Sequence, residues 1–298
     1  MNKSILVAGA TGNLGMRICR ELLNREAIVT AIVRPTTAPQ KIEALSKMGV
    51  LIQKVDLNST EEIADACEGK DLVVSALSGL EDVIVDLQKR ILDAALKAKV
   101  KRFIPSDFCT DYTDLLPGEN RNFDLRRVFR TYLDSTSIQA SSVFNGAFAD
   151  ILQYDTPVLN RKELSIGYWG EKADWKLDFT TMDDTAAFTA EVALDDEAPR
   201  GLQIASFQIS PNMLQDSVKE LTGKSFNLRL LSSMENFAVF IKKQRADNPA
   251  GEMELYAKWQ QSQYMYSMFS TQHQHLAYRR YENLTWTSAL TYLQSFLR

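Results

Sequence analysis

The sequence predicts an α/β protein with a doubly wound parallel sheet in its first half and a smaller α+β lobe after it. Three observations carry that reading. From Ser4 to about Pro105, short runs rich in Val, Ile or Phe alternate with stretches whose apolar residues recur every three or four positions, the pattern of right-handed βαβ units. The first run ends in Gly9-Ala10-Thr11-Gly12-Asn13-Leu14-Gly15, a strand-to-helix turn. Beyond about Asp150 the alternation becomes irregular.

Strands are predicted at residues 5–8, 28–33, 50–55, 72–76 and 102–105, each short enough to be buried on both faces. Before the fifth, Ile84, Leu87, Ile91 and Ala95 share one helical face while Asp86, Lys89 and Arg90 point elsewhere, so this helix packs on the sheet. A helix near residues 122–133 and a sixth strand near 138–143 complete the doubly wound half. The later part predicts a strand at 164–167, a helix over 185–194 with Asp184 as its N-cap, and a strand at 202–206. A helix over 213–222 follows, closed by Gly223 as a left-handed C′ residue. Residues 252–269 and 287–297 read as helices. The expected division is residues 1–150 for the sheet domain and 151–298 for the smaller lobe, with the chain free to cross between them.

Composition sets the outer limits. The 298 residues are 45% hydrophobic and 24% charged, ordinary for a chain with a real core, and the net charge of −4 comes without any basic run. Direct nucleic-acid binding is therefore not expected. Met1-Asn2-Lys3 and the apolar run behind it resemble the start of a secretory leader, but the run is short and ends in the glycine turn. It reads as a first strand. No stretch reaches the roughly 20 apolar residues of a membrane span, so the expected location is the cytoplasm. The three cysteines, Cys19, Cys67 and Cys109, are scattered and make neither a disulfide framework nor a zinc ribbon.

The glycine turn has the context of a dinucleotide site. Gly9 permits the tight turn, Gly12 lets backbone approach a pyrophosphate, and Gly15 lets the helix pack closely on the strand. The pyrophosphate then meets the positive end of the helix. Such a turn can also be purely structural, but the order of strand, turn, helix and second strand favours the ligand and makes the sheet Rossmann-type. The end of the second strand chooses the cofactor. An NAD site places a carboxylate about 20 residues past the glycines, where this chain has Arg34. A guanidinium there grips a 2′-phosphate, and Lys41 at the start of the next helix adds a second cation. The alternative is a solvated strand-end arginine. NADPH is the cofactor this reading expects.

The chemistry is less legible. A helical Tyr-x-x-x-Lys pair is the usual proton donor of short-chain dehydrogenases, and Tyr168 with Lys172 has the spacing but flanks Trp169-Gly170 outside any predicted helix. His273 and His275 lack a surrounding ligand cluster and read as a solvated polar loop; no metal site is expected. Cys109 reads as a small filler. Trp259, Tyr264, Tyr266 and Phe269 fit core or interface better than a pocket.

Taken together, the sequence resembles the NmrA-like and isoflavone-reductase-like group of atypical short-chain dehydrogenases/reductases. The resemblance rests on the glycine turn, Val33-Arg34-Pro35, Leu87-Gln88, Lys101-Arg102-Phe103-Ile104-Pro105-Ser106-Asp107-Phe108 and Phe144-Asn145-Gly146. Asp183-Asp184-Thr185-Ala186 and Arg280-Tyr281-Glu282-Asn283-Leu284-Thr285-Trp286 extend it. It implies NADPH across the strand ends, with Ala76-Leu77-Ser78 along the cofactor, Ser106-Asp107-Phe108 and Phe144-Asn145 nearer the nicotinamide, and substrate between the lobes. In the group's plant reductases a Lys at the head of Lys-x-x-x-Arg-Arg is the usual catalytic residue. Here Asn122 stands there, ahead of Arg126-Arg127, and an amide cannot supply a titrating proton. Cys109 likewise replaces the group's usual Gly.

Two functions follow. One is an NADPH-dependent reductase of a quinone-like, aromatic or other conjugated acceptor, in which positioning does most of the work and Asn122, Asp107 and Tyr112 are the candidates for assistance. The other is a noncatalytic NADP(H) sensor acting through a protein partner.

Overall fold

The apolar runs at the start of the chain become one parallel sheet in the computed structural model, which describes residues 2–297. β1 (Ser4–Ala8), β2 (Ile28–Val33), β3 (Leu51–Lys54), β4 (Leu72–Ser75), β5 (Arg102–Ile104) and β6 (Gln139–Ala140) lie in the order β3-β2-β1-β4-β5-β6. Every ladder among them is parallel. This is the Rossmann-type doubly wound order, and its direction reverses between β1 and β4. α1 (Asn13–Asn24), α2 (Pro39–Lys47), α3 (Thr60–Cys67), α4 (Gln88–Lys97) and α5 (Arg121–Asp134) connect the strands. The core between sheet and helices includes Leu6, Ile63, Val73, Ile91, Phe103 and Phe129.

The connecting helix before β5 is not uniform. Asp82–Leu87 forms a wider π-helical turn that runs into α4. The sixth strand is also not one element: Ser141 N–H still donates to Phe103 O at 3.1 Å, but Ser142 N–H donates to Arg200 O at 2.9 Å. One residue thus turns the backbone from β5 to a new partner, and the predicted strand splits.

The remaining elements are β7 (Ser142–Phe144), β8 (Ala147–Phe148), β9 (Ser165–Trp169), β10 (Leu177–Thr180), α6 (Met182–Leu194), β11 (Gly201–Gln203), β12 (Phe207–Ile209), α7 (Pro211–Thr222), β13 (Asn227–Ser232), α8 (Met234–Asp247), α9 (Lys258–Met268) and α10 (Ala289–Leu297). The chain forms two units. The first comprises Met1–Phe108, Asn122–Phe144 and Thr185–Leu202; the second comprises Cys109–Arg121, Asn145–Asp184 and Gln203–Arg298. The division therefore leaves the first unit at Phe144 rather than at residue 150, and it returns Thr185–Leu202 to the sheet. Arg102 explains the return. Its buried guanidinium donates to the carbonyls of Val192 (2.9 Å) and Ala193 (3.1 Å) at the end of α6, and Arg25 pairs with Glu191 at 2.8 Å.

In the second unit β10 pairs with β8 in parallel and with β12 in antiparallel, while β9 and β13 make a separate parallel pair. Trp169 stacks on Phe237 at 4.4 Å in a core that also holds Phe179, Phe269 and Leu293. Asp184 is not the N-cap of α6. The helix starts at Met182, and the Thr181 hydroxyl accepts from Asp184 N–H at 3.0 Å, which frees the Asp184 carboxylate to accept from Ser206 and Thr287. Of the strand predicted at 202–206 only residues 202 and 203 are extended, in β11; residues 204–206 are not in a strand, and β12 begins after them at Phe207. Gly223 does take the left-handed C′ conformation, with φ 69°. The helix expected over 252–269 begins only at Lys258, because Arg121 holds the carbonyls of Glu254 (2.8 Å) and Leu255 (3.2 Å) in a non-helical stretch.

Burial pushes the thiols of Cys19 and Cys67 up to about 12. Iodoacetamide at pH 8 is accordingly expected to leave both unmodified in the native protein and to alkylate both in guanidinium. Mass spectrometry of the two digests checks this.

Candidate functional site at the reversal point of the sheet

The reversal between β1 and β4 determines where the glycine turn sits. Gly9 leaves β1 with a left-handed φ of +80°, and a Cβ there would lie 2.4 Å from Ala76 O in the segment after β4. Gly15 is tighter still, since its Cβ would lie 2.2 Å from Gly9 O and 2.9 Å from Ala10 Cα. Both contacts are with backbone, which has nowhere to go. Gly12 differs: it is exposed, and its Cβ would meet only Gly9 O, at 3.2 Å. Two of the glycines therefore serve the fold and the third leaves open space above the head of α1. Gly12 N–H closes the turn on Gly9 O at 3.0 Å, and α1 has neither a side-chain cap nor an acidic residue in its first turn. The leading amides of Asn13, Leu14 and Gly15 are thus available to an anion. Ala10 is buried beneath the turn and Thr11 is half-buried.

Arg34 is exposed directly after β2, and Lys41 is exposed in the first turn of α2, which holds no acidic residue there. Neither side chain makes a hydrogen bond or ion pair with the described residues. On the other side of the reversal, Ala76 and Leu77 are half-buried and Ser78 is exposed. Leu77 N–H donates to the Ser106 hydroxyl at 2.8 Å; that hydroxyl donates to Ser75 O at 2.8 Å and lies 2.9 Å from Ser75 Oγ. Ser106 is 2% exposed, so its hydroxyl fastens the ends of β4 and β5 together.

Asp107 and Phe108 are also buried. The Asp107 carboxylate accepts from Ser142 Oγ at 2.7 Å, and Ser142 Oγ accepts from Arg200 Nη1 at 2.6 Å. Asn122 is buried in the first turn of α5, where its carbonyl accepts from Arg126 Nη1 at 2.9 Å. Tyr112 and Asn145 belong to the second unit and Phe144 to the first; all three are buried. Asn145 is unusual. Thr180 Oγ1 donates to its carbonyl at 2.6 Å and Gly146 behind it is left-handed at φ +63°, so its backbone is fixed. Yet its side chain is 0% exposed and neither Oδ1 nor Nδ2 has a partner.

Tyr168 lies in β9 rather than a helix, and Lys172 donates to Phe269 O at 2.6 Å and sits over the Trp175 ring, so that pair is structural. His273 is not a solvated loop residue. It is 3% exposed, accepts from Asp111 N–H at Nε2 (3.1 Å), and holds Nδ1 3.1 Å from Ile204 O, an arrangement that suits the Nδ1–H tautomer. His275 is exposed. Burial raises the neighbouring Asp178 carboxyl above the usual carboxylate range, although Gln208 and His273 N–H both donate to it. Among the described residues no group of three or more His, Cys, Asp or Glu is placed to hold a metal ion, and no helix is long and apolar enough to cross a membrane. Trp259 and Phe269 are buried, as core aromatics are. A cavity of about 330 Å³ in the second unit, lined by Leu115, Glu119, Lys172 and Tyr266 among others, includes no residue of the glycine turn.

Sequence reasoning missed Gln88, Ser75 and Arg126 as parts of this site. Gln88 had a signal: it shares a helical face with Ile84, Ile91, Leu92 and Ala95, and a polar residue on an apolar face needs a partner.

A Rossmann-type sheet with an open glycine turn at its reversal point and two unengaged cations beyond β2 defines a dinucleotide-binding α/β protein. The chain belongs to the NmrA-like family, whose model matches residues 1–286. It is 30% identical over 270 residues to an NmrA-like family domain-containing oxidoreductase of Gibberella moniliformis, with 83% of this chain and 84% of that one covered. It is 25% identical over 259 residues to bifunctional pinoresinol-lariciresinol reductase 1 of Linum usitatissimum, with 82% of each covered. The fold matches the solved structure of AtPrR2 with NADP+ and (+)pinoresinol at a TM-score of 0.81 and 21% identity, over 99% of both chains.

Proposed function

We propose that this protein is an NADPH-dependent reductase of a quinone-like, aromatic or other conjugated small molecule. The observation that carries the reading is the open glycine turn with Arg34 and Lys41 unengaged beyond β2. Those residues fit the cofactor: the head of α1 receives the pyrophosphate, and the two cations receive a 2′-phosphate that a carboxylate would repel. Ala76, Leu77 and Ser78 form the floor on the β4 side. The relatives named as pinoresinol and pinoresinol-lariciresinol reductases support the same class of activity.

When bound, NADPH supplies a hydride from C4 of its dihydronicotinamide. The chain's own residues limit what can receive it. Asn122 donates a hydrogen bond but no net proton, and the Asp107 carboxylate is held as an acceptor by Ser142. With an amide at position 122 that supplies no proton, an acceptor whose reduced form is a weak base is favoured. A phenolate-like oxygen, whose conjugate acid titrates near 10 as in tyrosine, meets that condition and an alkoxide does not. Quinones and extended conjugated carbonyls are therefore the favoured class, with water delivering the final proton and Asn122 steadying the developing charge.

The test is NADPH oxidation followed by absorbance against a panel of quinones and conjugated carbonyls, beside NADPH and NADH titrations. Steady oxidation with NADPH preferred supports the reading. Tight NADPH binding with no acceptor reduced would overturn it in favour of an NADP(H) sensor working through a protein partner.

Asn145 offers a separate check on the second unit. A buried amide with no partner costs about 1–3 kcal/mol, so Asn145→Leu is expected to raise the melting temperature of the protein. Thermal melts read the change, and a drop would mean that the amide is satisfied in solution.

A further inference from the structure

The π-helical turn before α4 has a local cause that reaches the candidate site. In a regular helix the Gln88 amide would donate to Ile84 O; here it donates to Val83 O, five residues back, and to Val85 O. Ile84 O is taken instead by the side chain of Gln88, whose Nε2 donates to it at 2.7 Å. That assignment orients the amide, so Oε1 faces the other way and accepts from Ser106 N–H at 2.8 Å. Gln88 is 1% exposed. Its donor and acceptor ends are both used, and turning the amide over would set carbonyl against carbonyl and N–H against N–H.

Ser106 passes the constraint on in two directions. Its hydroxyl receives the Leu77 amide and bonds to Ser75 O, which sets the floor after β4. Its carbonyl accepts from Arg126 Nε at 3.0 Å, and the Nη1 of the same guanidinium donates to Asn122 O at 2.9 Å, which sets the head of α5. A single buried amide is thus tied through one peptide to both Leu77 and Asn122, residues that otherwise share no element. All of these residues lie in the first unit.

We infer that Gln88 is a positioning residue for hydride transfer: it touches neither cofactor nor acceptor, and it fixes the relative placement of the Leu77 floor and Asn122. The inference rests on the reductase reading for its kinetic consequence, though not for its geometry. The wide turn is what brings the Gln88 amide to Ser106, which gives the irregularity a role beyond packing. Rotating Asn122 or the floor by a fraction of an ångström leaves the phosphate contacts at α1 and Arg34 intact. Binding should therefore survive while transfer slows.

The experiment compares Gln88→Leu, Gln88→Glu and wild type by NADPH affinity, single-turnover hydride transfer with C4-deuterated NADPH, and amide hydrogen exchange. Gln88→Leu is expected to slow transfer by up to about 100-fold, with NADPH affinity nearly unchanged and looser exchange at Leu77 and Asn122. The carboxyl group introduced by Gln88→Glu retains an acceptor for Ser106 but regains a donor to Ile84 only when protonated, and burial raises its pKa. Gln88→Glu is therefore expected to recover rate as pH falls, whereas Gln88→Leu does not. If Gln88→Leu fails to fold, Ser106→Ala keeps the Gln88 acceptor engaged and removes the bond from Leu77; it should show the same split between binding and transfer. Equal losses of affinity and rate, or no pH-dependent recovery in Gln88→Glu, would overturn the assignment. Should the wild-type protein bind NADPH and reduce nothing, the reductase reading fails alone. Exchange at Leu77 and Asn122 then decides the Gln88 assignment, and unchanged protection in Gln88→Leu would reject it.

Discussion

Gly12→Ala is expected to leave the first unit folded and to weaken NADPH by on the order of 2 kcal/mol, roughly 30-fold in Kd. The added methyl would meet only Gly9 O, at 3.2 Å, a contact that a shift of a few tenths of an ångström relieves. What it fills is the approach to the leading amides of α1. Gly15→Ala should behave in the opposite way. Its methyl would lie 2.2 Å from Gly9 O and 2.8 Å from Gly9 C, so α1 must separate from the turn, at a cost of about 3 kcal/mol. Gly9→Ala adds left-handed strain of roughly 1–2 kcal/mol to its clash with Ala76 O. Chemical denaturation gives the stabilities and cofactor fluorescence the affinities. Equal loss of affinity and stability at Gly12 would mean that all three glycines are structural.

The second large effect is expected at Arg34. Two charge-assisted bonds to a 2′-phosphate contribute about 1.5–3 kcal/mol, so Arg34→Ala should weaken NADPH about 10- to 150-fold and leave NADH almost unaffected. Arg34→Glu should reverse the preference, because a carboxylate at the end of β2 accepts from a ribose hydroxyl and repels the phosphate. Lys41→Ala should give a smaller loss in the same direction. Both side chains are exposed, so the NADPH preference should also decline as salt is raised. Parallel titrations with the two cofactors test this, and an identical loss for NADPH and NADH would move Arg34 out of the phosphate site.

The parallel sheet was legible because β1, β2 and β4 are buried and largely apolar on both faces and are separated by amphipathic helices, patterns that survive in a single sequence; the edge strand β3 is mostly exposed. The glycine turn was legible because φ and close approach leave few residues a choice. What was not legible depends on bonds from side chains to distant backbone. Arg121 breaks the expected helix at 254–257, Thr181 rather than Asp184 caps α6, and Asp111 and Ile204 draw His273 out of solvent. Spacing within a local window contains none of these partners. The same limit hid the partner of Gln88, since Ser106 follows a whole helix and strand later. β13 is different, because it carried a signal that was overlooked: Ser225-Phe226-Asn227-Leu228-Arg229-Leu230 alternates polar and apolar residues, the pattern of a half-buried strand, although Leu230 and Leu231 end up exposed.

The return of Thr185–Leu202 to the first unit has a consequence for biosynthesis. A nascent chain that has emerged only through β6 has the whole parallel sheet, but the Arg102 guanidinium has no Val192 or Ala193 carbonyl to meet and Arg25 has no Glu191. The sheet is therefore expected to reach its full set of bonds only after α6 has left the ribosome. Its closure awaits the synthesis of about two thirds of the chain, and such distant pairings fold slowly and favour chaperone engagement. A fragment ending at residue 150 is expected to be less stable than the intact first unit, whereas circular permutants that keep both crossings retain every one of these bonds.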